Sequence, residues 1–199
     1  MELDDALLQI AEIRQRMAQG QTFRGYRAAT TFFSALLALS GAAAQHLVLR
    51  DDAWTGVLVW VSIAVVSTVV VGAEMVIRYR RTDSTLQREM TLVAAEQFAP
   101  SLVAGGLLLY VMTAFFSERL EMLPGLWTLL FSMGVFASRR VLPRGTGFVG
   151  AYYLLAGVAG LALEGRMPFG WRMALAFVPG QLLAGWVLYW NQERRRAAA

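Results

Sequence analysis

The sequence predicts an all-α fold, a polytopic integral membrane helix bundle, on three observations. The chain is apolar, with 57% of its 199 residues hydrophobic and only 16% charged, where an average soluble domain carries roughly 25% charged residues. Its apolar residues gather into continuous runs rather than alternating, which favours helices over barrel strands. Its basic residues are all arginine and cluster between those runs. A soluble globular domain and a disordered chain both need more polar sequence than this. A disulfide scaffold and a thiol nucleophile are excluded because there is no cysteine.

Six runs meet the need for about 20 largely apolar residues across a ~30 Å hydrocarbon core. They cover roughly 27–49, 54–77, 97–117, 123–138, 146–163 and 170–190. The fourth and fifth are short and are expected to cross with little tilt. Residues 26–191 are therefore read as a six-helix transmembrane domain, 1–25 as an amphipathic cytoplasmic or interfacial helix, and 192–199 as a short basic tail. The six runs leave fourteen arginines on one side of the membrane and four, Arg50, Arg119, Arg166 and Arg172, on the other. Cytoplasmic loops carry the arginine excess, so both termini are expected in the cytoplasm of a bacterial-type membrane. The net charge of +4 does not indicate nucleic acid, since no basic patch interleaved with aromatics is present.

In the leader, Leu3, Ala6, Ile10, Ile13 and Met17 recur at helical spacing. Its polar face is mildly acidic, through Glu2, Asp4, Asp5 and Glu12, whereas helices that lie on anionic lipid carry basic faces. Docking of residues 1–20 on protein is the expectation. A second cytoplasmic helix, capped by Asp83 or Ser84 and with Leu86, Met90 and Val93 as its apolar stripe, is expected to lead into the third run.

The third and sixth runs share the pattern F-x-P-x5-G-x2-L-Y, in Phe98, Pro100, Gly106, Leu109 and Tyr110 and in Phe177, Pro179, Gly185, Leu188 and Tyr189. Thr55-Gly56 opens the second run as Thr146-Gly147 opens the fifth. Two three-helix repeats, inverted because each has an odd number of spans, would produce this pattern.

Ionisable groups within a membrane are the default candidates for function. Glu74 lies four residues before Arg78 and shares its helix face. Glu96 and Gln97 enter the third run at the same membrane level, where Arg27 also sits. These five residues form a possible polar cluster, either interfacial ion pairs that fix packing or a vestibule for protons or anions. Gln181 is the strongly polar residue near the middle of a run, just after Pro179. Proline removes a helix donor and frees the i−4 carbonyl, so the Gln181 amide is expected to satisfy a backbone group, bridge helices or contact a ligand. Ala156 and Gly160 give a small-x-x-x-small face on the fifth run, a possible self-association surface.

No phosphate-binding loop, zinc-protease motif or nucleophile elbow is present. The single histidine, His46, is read as structural or solvated. No catalytic residue, metal site or cofactor is expected. The chain is therefore read as an accessory, assembly or signalling subunit that works through helix–helix contacts. The alternative is a small-solute transporter or channel built from the inverted repeats.

Overall fold

The computed structural model describes residues 28–49, 52–81, 85–143 and 145–190. The leader helix, Arg27, the Asp83 or Ser84 cap and the basic tail lie outside the described residues. The described chain is all helical: α1 (Ala28–Leu47), α2 (Ala53–Arg81), α3 (Thr85–Phe115), α4 (Leu123–Ala137), α5 (Thr146–Ala162) and α6 (Phe169–Leu188). Short 3₁₀ segments, Ser117–Met122 and Ser138–Arg140, flank α4. Each helix falls on one of the six apolar runs. The second cytoplasmic helix is continuous with the third run, so α3 reaches 31 residues.

Local chemistry sets several boundaries. Asp52 caps α2, accepting hydrogen bonds from the Thr55 backbone N–H (3.0 Å) and the Thr55 hydroxyl (2.8 Å). Pro124 stands in the first turn of α4, where its missing N–H leaves no intrahelical bond unmade. Pro168 precedes α6 in extended geometry (φ −54°, ψ 148°). Pro100 and Pro179 lie inside α3 and α6.

Four segments are long and apolar enough to cross a membrane: Ala28–Leu47, Ala53–Arg81, Arg88–Phe115 and Ser117–Ala137. That is two fewer than the six expected spans, for physical reasons visible in the last two helices. At 17 residues, α5 is about 25 Å long, shorter than the hydrocarbon core. Although α6 has 20 residues, Arg172 and Gln181 dilute its apolar character. The architecture remains that of a helical-bundle membrane protein.

Packing is uneven. The most extensive contacts join α1 to α6 and α4 to α5, and α6 also lies against α5 and α4. Small residues allow the α4–α5 approach: a Cβ on Gly160 would stand 3.3 Å from the Gly125 Cα, and one on Gly157 would stand 3.0 Å from the Leu129 backbone nitrogen. Gly160 is therefore already engaged within the chain, and half of the Ala156/Gly160 face expected for self-association meets α4 instead. The Ser132 hydroxyl adds a buried bond to the Gly150 carbonyl across the same interface (2.9 Å). By contrast, α2 attaches mainly to α1, α3 mainly to α4, and the two touch each other little. Only Gly56, Val57 and Trp60 of α2 are buried.

Candidate binding site

The loose seating of α2 and α3 leaves a chamber of about 460 Å³, bounded by α1, α2, α3, α4 and α6. Its inner wall is aromatic. Phe131 of α4 makes edge contacts with Phe98 of α3 (5.2 Å between ring centres) and Phe177 of α6 (5.3 Å), and Trp60 lies 6.4 Å from Phe177. Trp127 completes the wall and donates its indole N–H to the Gly105 carbonyl of α3 (3.1 Å). The exposed lining residues Val65, Thr68 and Val69 are on α2, and Leu102 and Gly106 are on α3. The mouth of the chamber thus lies between α2 and α3, facing the surface where lipid tails would be.

Gln181 lines this chamber, together with Ser34, Ser67, Thr68 and Ser101. Ser34 returns its hydroxyl to the Thr30 carbonyl (3.2 Å). Among the described residues, the Gln181 amide and the Ser67, Thr68 and Ser101 hydroxyls make no hydrogen bond, and Gln181 is partly buried. Among the described residues no ionisable side chain lines the chamber. It can therefore hold an apolar body and one or two hydrogen-bonding groups, and it offers nothing to neutralise a charge.

The carbonyl freed by Pro179 finds a partner other than the expected Gln181. Pro179 has no N–H to offer Leu175, and the Tyr152 hydroxyl of α5 donates to the Leu175 carbonyl instead. The neighbouring Tyr153 is buried against Gly180, Phe131 and Phe177. The proline thus locks α6 to α5, and Gln181, two residues on, lines the chamber.

The expected polar cluster is only partly assembled. Glu74 accepts a hydrogen bond from the Arg78 guanidinium (3.1 Å) and another from the Thr30 hydroxyl, which ties α2 to α1. Glu96 sits on the exposed face of α3. Gln97 is partly buried, and its side-chain oxygen has no hydrogen-bond partner among the described residues. Among the described residues neither Glu96 nor Gln97 joins the Glu74–Arg78 pair, and Arg27 lies outside them.

Two buried polar residues carry more structure than the sequence indicated. Arg172, 3% exposed, pairs with Glu121 and donates to the carbonyls of Glu121 (2.6 Å), Met167 (2.9 Å) and Gly160 (3.4 Å). It ties the 3₁₀ segment, the end of α5 and the start of α6 together. Its signal was an arginine inside the sixth apolar run, which loop counting assigned to the outer surface. Gln45, fully buried, accepts from the Trp60 indole (3.3 Å), and its amide nitrogen lies close to Gly56. A Cβ on Gly170 would approach the Gln45 oxygen to 2.7 Å, so glycine at that position is what admits the glutamine. His46 packs edge-on to Trp171 (5.8 Å). Among the described residues no group of three His, Asp or Glu side chains is placed to hold a metal ion.

Fold and site together define an all-helical membrane-type bundle with an uncharged, laterally open chamber. Compared with known proteins, the chain matches no family model, no curated protein and no solved structure.

Proposed function

We propose that this chain, whose sequence carries no catalytic signature, is an accessory, assembly or signalling subunit of a bacterial-type cytoplasmic membrane, with both termini in the cytoplasm. The arginine distribution supports the orientation. The observation that carries the function is the exposure of the α2–α3 pair: only 6% of the Arg88–Phe115 window is buried, against 44% of Ser117–Ala137. Two helices of 29 and 31 residues, long enough to extend beyond the ~30 Å core, present apolar faces suited to the helices of a second membrane protein. The acidic polar residues of the 1–20 sequence favour docking on protein, either the chain's own cytoplasmic loops or a helix of the partner.

Photo-crosslinkers at Val66 and Val103 in native membranes test this reading. It predicts one discrete protein adduct shared by both positions, absent from Leu155 on α5 and weakened by deletion of residues 2–20. Adducts to lipid alone at both positions would reject it.

A small-solute transporter of two inverted repeats is the second reading, favoured by one observation. The motif phenylalanines Phe98 and Phe177 meet on the same ring, Phe131. That reading predicts flux altered by Glu74→Gln or Glu96→Gln. The uncharged lining of the chamber weighs against an ion as the solute.

A further inference from the structure

We propose that the chamber between the α2–α3 pair and the rest of the bundle is a binding site for an uncharged lipid with a flat carbonyl-bearing ring and an apolar tail, the quinone class. The inference is independent of any protein partner.

Four observations carry it. The volume, about 460 Å³, lies within the usual range for small-molecule sites, which are mostly apolar with a few placed polar groups. It accommodates a ring and the first part of a tail, and the mouth between α2 and α3 lets the rest of the tail run out among the lipids. The wall of Phe98, Phe131, Phe177, Trp60 and Trp127 offers faces and edges to a flat ring. The described lining holds no ionisable residue, which disfavours fatty acids and phosphate headgroups, whose charge would stand uncompensated in low dielectric.

Polarity supplies the recognition. An amide left unpaired in an apolar medium costs several kcal/mol, and Gln181 has no partner among the described residues. Lipid tails cannot satisfy it. A ring carbonyl can, accepting from the Gln181 amide, while Ser101 lines the same chamber with its hydroxyl close to Gly134 of α4. The proposal concerns binding alone and includes no electron transfer.

The test uses the full-length protein in lipid nanodiscs, with a decyl-tailed benzoquinone as probe. Quinones quench tryptophan emission, and Trp60 and Trp127 line the chamber. Saturable quenching is expected, with affinity falling about tenfold in Gln181→Leu, the equivalent of one net hydrogen bond. Ser101→Ala, a milder change, guards against misfolding of the first variant and should weaken binding by a smaller factor. Farnesol, diacylglycerol and a plain alkane are run as competitors. Their failure to displace the probe is the expected result, because they lack the carbonyl ring. Non-saturable quenching, equal quenching in Gln181→Leu and Ser101→Ala, or displacement by the alkane would overturn the proposal in favour of ordinary lipid filling. Displacement by farnesol or diacylglycerol would overturn the assignment to a quinone.

Discussion

The α1, α4, α5 and α6 quartet and the α2–α3 pair have similarly apolar sequences but very different packing. In the quartet, glycines let backbones approach, and hydroxyls and one guanidinium satisfy carbonyls across the interfaces. In a membrane there is no hydrophobic drive between helices, so close packing and interhelical hydrogen bonds must supply the association. The pair lacks both along most of its length. A Cβ on Gly72 or Gly106 would meet nothing within 4 Å, and among the described residues α2 and α3 are held by scattered links such as Glu74 to Thr30, Trp60 to Gln45 and Phe177, Gly105 to Trp127, and Phe98 to Phe131. Apolarity therefore marks where helices enter the bilayer, and small and polar residues decide which of them associate.

The largest expected effect belongs to the quartet's buried cation. Arg172→Met leaves Glu121 and the carbonyls bonded to Arg172 unpaired, and should destabilise the bundle by about 3 kcal/mol, read as a lower midpoint of thermal unfolding in detergent. Next comes a substitution at the closest helix contact. Gly125→Ala would place its Cβ 2.8 Å from the Leu161 backbone nitrogen, and overpacking of this kind costs about 1–3 kcal/mol. Tyr152→Phe strands the Leu175 carbonyl beside Pro179 and should cost about 1 kcal/mol by the same assay. The smallest effect has the opposite sign. Gly106→Ala, into open space on α3, should stabilise by about 0.5–1 kcal/mol through helix propensity alone. If Gly125→Ala and Gly106→Ala behaved alike, the contrast between the two regions would fail.

Hydropathy read from the sequence located all six helices, because long apolar runs are set by composition and need no knowledge of neighbours. It also placed Glu74 and Arg78 on one face, since a four-residue spacing is local. Contacts across the fold were harder to read. Pro179 announced a free carbonyl, but the identity of its partner, Tyr152, depends on how α5 sits against α6. Arg172 was counted with the outer loops because loop arithmetic carries no information on side-chain direction. Gly160 read as a surface for a second chain, and only the position of α4 reveals that it is already covered. The chamber had no sequence signal beyond Gln181, because a cavity is a property of helices that fail to meet.

The most direct test concerns the open mouth between α2 and α3. The chain has no cysteine, so single cysteines can carry spin labels without background. Labels at Gly106, which lines the chamber at its mouth, and at Val103, which is exposed on α3, are compared in nanodiscs by their collision rates with dissolved oxygen. Similar, lipid-like rates at both positions are the predicted result. A Gly106 label shielded from oxygen while Val103 remains accessible would mean that α2 and α3 close over the bundle, and would contradict the account.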